Sequence, residues 1–182
     1  MANSHISLEN GNIFFSNLQT ITVTVNCVGV MGKGIALQAK YLVPDAFLYY
    51  KDLCDKGKMH MGVPVLYNKR SKSLQTTDKE YKKLLLFPTK QHWKMPGDIV
   101  SIEKGLQWLV DNYKKCGIKS LAISALGCGN GGLEWRDVGP LLYKYLGKMN
   151  IPVQIFLPRQ NIPKKYLTEK FLLTEPPKIT DY

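Results

Sequence analysis

Two glycine-rich segments constrain this chain more than any other feature: NCVGVMGKGIALQAK at 26–40 and SALGCGNGGLEW at 124–135. Each follows an apolar, strand-like run and opens a helix-like one, so each reads as strand, loop and helix in succession. Glycine costs backbone entropy wherever it stands. It is favoured where the chain must turn tightly or let another molecule approach its N–H groups. Two such loops at the carboxyl ends of two strands can clasp one ligand in the crevice of an open sheet.

The remaining pattern agrees with that architecture. Strands are expected at TITVTVN (20–26), VPVLY (63–67), LLLFP (84–88), IKSLAIS (118–124) and PVQIFL (152–157). GIALQAKYL reads as a helix closed by Pro44, and DAFLYYKDLC as a second helix with Asp45 as its N-cap. A third, within 98–116, places Ile99, Ile102, Leu106, Leu109, Val110 and Tyr113 on one face, with Asp98 as cap and Gly117 as stop. EWRDVGPLLYKYLGKM is a helix weakened by Gly139 and Pro140. Strands alternating with helices predict an α/β layered fold with a largely parallel sheet. Past Pro158 the chain turns polar and proline-rich, and YLTEKFLL is expected to be a packed terminal helix or part of a linker. The expected division is therefore 1–157 as one domain and 158–182 as an extension.

Composition narrows the function classes. At 182 residues, with 45% hydrophobic and 21% charged, the chain is long enough for one ordinary soluble core. No apolar run approaches a membrane span, and the polar first residues do not resemble a signal peptide, so a cytoplasmic location with no membrane contact is expected. Cys27, Cys54, Cys116 and Cys128 form no C-x-x-C pair and the three histidines are scattered, which argues against a metal site and against a disulfide framework. Lys and Arg number 25 against 14 acids, a formal charge of +11 that favours polyanions, although part of it lies in the loop NKRSKSLQTTDKEYKK at 68–83.

The second segment contains G-x-G-x-x-G at Gly127, Gly129 and Gly132. A dinucleotide fold is rejected, because that fingerprint belongs to the first strand–helix turn and needs an acid about 20 residues on. The first segment fails the Walker A pattern. What survives is the physics: exposed N–H groups and a helix N-terminus suit a phosphate or diphosphate.

GNI at 11–13, VNCVGVMGKGIALQAK at 25–40, FPTKQHW at 87–93 and SALGCGNGGLEW at 124–135 together resemble the macrodomain family of ADP-ribose-binding modules. Within it the likeness is to the antitoxin branch that removes ADP-ribose from DNA, and to the related human terminal ADP-ribose glycohydrolase. The resemblance covers the chain from about Ser7 to Leu157. It implies a three-layer α/β/α sandwich with a mixed, largely parallel sheet and ADP-ribose across the sheet's carboxyl edge. Asn12 and Ile13 would face the adenine, with Leu157 on the same side. Thr24 and Val25 would also contact the ADP-ribose. Val30, Met31, Gly32, Gly34 and Ile35 would pack over the distal ribose. Gly127, Cys128, Gly129, Asn130, Gly131 and Gly132 would hold the diphosphate, and Thr89, Ser124 and Leu126 would be further ADP-ribose contacts.

Lys90 and Asn26 would then be the catalytic pair. Cleavage at the anomeric carbon passes through an oxocarbenium-like state, and the usual paired carboxylates are missing near either loop. An amine must be desolvated or set beside a cation to attack; otherwise it stays charged and stabilises a departing oxygen. Those alternatives stay open on sequence. The human enzyme carries a catalytic acid where this chain has Gly131, so that acid–base step cannot come from this position. Lys33, His92 and Trp93 are candidate DNA contacts, the last two by stacking on a flipped base.

The resemblance thus implies hydrolysis of ADP-ribose from DNA, with thymine as the expected base, by a monomer that needs no cofactor. Its partners would be ADP-ribosylated single-stranded DNA and a DNA-modifying ADP-ribosyltransferase toxin. Two other readings compete: a reader that binds ADP-ribose without cleaving it, and a hydrolase acting on ADP-ribosylated protein.

Overall fold

The chain was analysed as a computed structural model, which describes residues 4–69 and 82–176. Six strands build one sheet: β1 (Ile6–Glu9), β2 (Thr20–Asn26), β3 (Val65–Tyr67), β4 (Lys83–Lys90), β5 (Leu121–Ser124) and β6 (Val153–Phe156). Their order is β1-β6-β5-β2-β4-β3, and every neighbouring pair is parallel except β3 with β4. The helices are α1 (Gly34–Leu42), α2 (Pro44–Asp55), α3 (Ile99–Asn112), α4 (Trp135–Leu146) and the short α5 (Glu169–Leu172).

Period-two alternation in β4 divides the core. Leu84 and Leu86 pack with Ile21, Val23 and Val25 of β2 against α1 and α2. Leu85 and Phe87 point the other way, joining Ile123 and Ile155 beneath α3 and α4. The result is the expected three-layer sandwich with a mixed sheet. Thr22, fully buried between the layers, meets its polar needs locally: its hydroxyl donates to the Ala122 carbonyl (3.3 Å) and accepts from Ser124 N–H (3.2 Å).

Several expectations shift in detail. β1 carries no strand signal of its own; ISLE is short and half polar, and it becomes a strand by pairing with β6 from Ile6↔Val153 to Glu9↔Phe156. Pro44 opens α2 instead of only closing α1. Its fixed φ suits a first-turn position, while Val43 N–H bonds back to the Ala39 carbonyl (2.8 Å) and ends α1. Asp45 accordingly sits inside the first turn and does not cap it. Asp98 does cap α3, its carboxylate accepting from Val100 N–H (3.1 Å). α4 runs through Gly139 and Pro140, both buried, because burial of Val138, Leu141, Leu142 and Tyr145 outweighs their poor helix propensity.

The chain after β6 returns to the body of the molecule: Leu172 joins the α3–α4 core, and Trp135 Nε1 donates to the Tyr166 carbonyl (2.9 Å). Most of the basic segment 68–83, and the chain beyond Pro176, lie outside the described residues. Among the described residues no helix is long and apolar enough to cross a membrane.

Candidate functional site

Parallel strands bring their carboxyl ends to one edge, and there the ends of β2, β4, β5 and β6 open into a cleft of about 910 Å³. Asn12 and Ile13 line it from a 3₁₀ turn at Ile13–Phe15. Thr24, Val25 and Asn26 come from the end of β2; Val30, Gly32, Lys33, Gly34 and Ile35 from the first glycine loop and the start of α1. Thr89, Lys90 and Trp93 come from β4 and its continuation, Ser124 from β5, and Gly127, Gly129, Asn130 and Gly131 from the second loop. Leu157 closes the cleft after β6.

Five of the expected residues stand apart from this lining. Met31, Leu126 and Cys128 turn their side chains into the core, where each is almost fully buried. Gly132 is exposed outside the lining, and His92 sits beside the Trp93 ring. The structure also adds residues. Gln38 enters because it lies one helical turn past Gly34 on the same face of α1. Arg159 and Gln160 enter because the chain folds across the cleft after β6, where Gln160 Nε2 donates to the Cys128 carbonyl (2.9 Å). Local sequence signals the first of these through helical spacing and the other two not at all.

Lys90 and Asn26 are register partners in β4 and β2, because a bulge between Val25 and Asn26 skips Thr89. The Lys90 ammonium donates to the Asn130 carbonyl at 2.9 Å and so spans from β4 to the second glycine loop. It forms no salt bridge with any described carboxylate, and desolvation pulls its pKa below the ordinary lysine value.

Asn26 has a different occupation. Its Nδ2 donates to the Val30 carbonyl (2.7 Å), and its Oδ1 accepts from Val28 N–H (3.0 Å) and Val30 N–H (3.3 Å). The buried Tyr50 hydroxyl lies 2.8 Å from Oδ1 and 2.9 Å from the Asn26 carbonyl oxygen. With Asn26 only 6% exposed, its amide principally shapes the loop. Asn12 is likewise engaged: Oδ1 accepts from Phe14 N–H (3.0 Å) and Nδ2 donates to Gln38 Oε1 (3.0 Å). One lone pair of that oxygen can still meet a ligand donor.

The electrostatics of the cleft are one-sided. Lys33, Lys90, Lys94 and Arg159 line it, with no carboxylate among the described residues that do so. The N-terminal turn of α1 also faces in, and its cap residue Lys33 makes no side-chain cap bond, which leaves N–H groups for an anion. α4 does not contribute in the same way, since its first residues lie outside the lining. The helix dipole expected behind the second loop is therefore supplied from behind the first. Burial pushes the Cys27 thiol up to about 11 and Cys128 up to about 12, so neither is a thiolate at neutral pH.

Comparison with known proteins places this geometry. The family model described as Macro domain matches residues 23–142. The chain belongs to the macrodomain family. It is 51% identical, over 93% of its length and 46% of the relative's, to a DNA ADP-ribosyl transferase–DNA ADP-ribosyl glycohydrolase fusion protein of Thermosipho africanus. The solved structure titled Thermosipho africanus DarTG in complex with ADP-ribose superposes with a TM-score of 0.88 at 52% identity, covering 93% of this chain and 46% of that one. The macrodomain of Mycobacterium tuberculosis DarG superposes at 0.77 with 33% identity, covering 85% of this chain and 98% of that one. The chain spans less than half the length of the curated relatives it matches.

Proposed function

We propose that this chain binds ADP-ribose in the cleft and hydrolyses it from DNA, with Lys90 as the reacting group. The observation that carries the reading is Lys90 itself: a desolvated lysine without a carboxylate partner among the described residues, held by the second glycine loop at the sheet edge. Relatives named DNA ADP-ribosyl glycohydrolase support the substrate. In this reading the N-terminal turn of α1 and the second loop share the diphosphate, Asn12 and Leu157 flank the adenine, and the distal ribose lies over Asn26 and Lys90.

Partial desolvation lowers the Lys90 pKa, the direction an amine nucleophile requires, and the reading takes Lys90 as that nucleophile. The Nζ–C1 bond to the distal ribose forms as the C1–base bond breaks, and the base leaves with a proton. The adduct opens to an imine; water then adds, releasing ADP-ribose and the free amine. Asn26 keeps the first loop closed over that carbon. The test is incubation with an ADP-ribosylated single-stranded oligonucleotide in the presence of borohydride. The reading expects ADP-ribose release without the reductant and a reduced adduct on Lys90 with it. Release without any trapped adduct would leave the hydrolase and remove the nucleophile.

The same reading takes the protein to act in the cytoplasm as a monomer. The fusion relative supports a DNA-modifying ADP-ribosyltransferase as the partner whose product this chain reverses. One observation favours a second reading, a reader that holds ADP-ribose without cleaving it. No carboxylate among the described residues lines the cleft, and so none there can serve as a general base for water. Calorimetry showing tight ADP-ribose binding, with no release from DNA or protein, would decide for the reader.

A further inference from the structure

The segment after Lys90 carries groups that the glycosidic chemistry does not use. Trp93 lines the cleft while 50% exposed, and Met95 beside it is 51% exposed. Leaving half an indole in water forgoes burial that a merely structural tryptophan would have. The His92 ring stacks beside it, with centroids 5.4 Å apart and planes inclined by 29°. Two bonds fix the turn that presents the indole: Lys94 N–H donates to His92 Nδ1 (3.2 Å), and Met95 N–H donates to the His92 carbonyl (3.0 Å). The Lys94 ammonium lies 5.0 Å from the Trp93 ring centroid, and exposed Lys33 lines the same cleft from the first loop.

We propose that Trp93, backed by His92 and flanked by Lys94, is the platform on which the nucleobase carrying the ADP-ribose stacks. This rests on the reading of the cleft as a DNA ADP-ribosyl hydrolase and names its leaving-group subsite. The base must lie beyond the distal ribose, and Trp93 stands three residues past Lys90 on the same rim. An aromatic face beside mobile cations is how proteins hold an unpaired base and its phosphates. The absence of carboxylates among the described lining residues, in a chain of formal charge +11, complements a polyanionic strand. Stacking needs the base out of its duplex, so single-stranded DNA is the better substrate.

The experiment compares wild type, Trp93→Ala and Trp93→Phe on an ADP-ribosylated single-stranded oligonucleotide and, by calorimetry, on free ADP-ribose. Trp93→Ala is expected to lower kcat/KM on the oligonucleotide about tenfold or more while leaving the affinity for free ADP-ribose intact. Trp93→Phe should recover most of that loss. Unchanged turnover overturns the platform, and so does an equal loss of ADP-ribose affinity, which would make Trp93 a wall of the ligand pocket. An ADP-ribosylated peptide showing the same dependence on Trp93 overturns it too. Should wild type release nothing from DNA, the hydrolase reading fails by itself and unmodified oligothymidylate judges the platform. Quenching of tryptophan fluorescence that disappears in Trp93→Phe supports it, and no quenching overturns it.

Discussion

The two glycine loops look alike in sequence and are built on different principles. The first is tied by side chains: Asn26 bonds three backbone groups of residues 28 and 30, and Tyr50 holds Asn26 from beneath. The second is tied mainly by backbone groups, with Lys90 and Gln160 each adding one side-chain bond to its carbonyls. Leu133 N–H donates to the Gly127 carbonyl (3.0 Å), Gly132 N–H to Gly129 (3.2 Å), and Gly97 N–H to Gly131 (2.8 Å). Gly127 needs its left-handed φ of +75° for this turn. Glycine at 131 has another cause: a β-carbon there would overlap the Gly127 carbonyl oxygen and lie 2.9 Å from its Cα. A loop closed on itself this tightly admits no side chain at 131. An acidic side chain at 131 would therefore require the loop to be rebuilt.

That difference predicts how each loop breaks. Gly131→Ala should be the most damaging, costing about 3 kcal/mol because the displaced neighbour is backbone; chemical denaturation and ADP-ribose calorimetry would both show it. Asn26→Ala should cost about 2 kcal/mol by orphaning N–H groups in the first loop. Its stability loss should come with weakened ADP-ribose binding, whereas a stable protein with a slow chemical step would return Asn26 to direct catalysis. Tyr50→Phe removes one buried hydroxyl and should cost about 1 kcal/mol, with ADP-ribose affinity falling less than in Asn26→Ala. Asn130→Ala should be mildest, within about 0.5 kcal/mol. The Lys90 bond uses its backbone carbonyl, and the side-chain amide removed is one that lies near Gly34. A large effect there would mean that the two loops are clamped through side chains after all.

What could be read from sequence was what periodicity and local chemistry encode. Strands β2, β4 and β5 and helices α1 and α3 are legible because their apolar spacing is regular and Asp98 announces a cap. β1 is not, because four residues acquire strand character only from β6, 147 positions away. The carboxyl-edge cleft follows from two strand–glycine–helix units in one parallel sheet. The side-chain work inside it does not. Asn26 reads as a catalytic residue and Asn12 as a ligand contact; both line the cleft, and both also spend hydrogen bonds on the protein. That balance depends on Tyr50 and Gln38, which no local pattern links to either asparagine. Arg159 and Gln160 were invisible because they arrive by a tertiary turn after β6.

The central claim is that Lys90 does the chemistry while the loops bind, and one measurement separates the two. Single-turnover release of ADP-ribose from a modified single-stranded oligonucleotide should be followed for wild type and Lys90→Ala, with ADP-ribose affinity measured alongside. The account predicts that Lys90→Ala still binds ADP-ribose but releases essentially none from DNA. A Lys90→Ala protein that releases it at the wild-type rate would contradict the account.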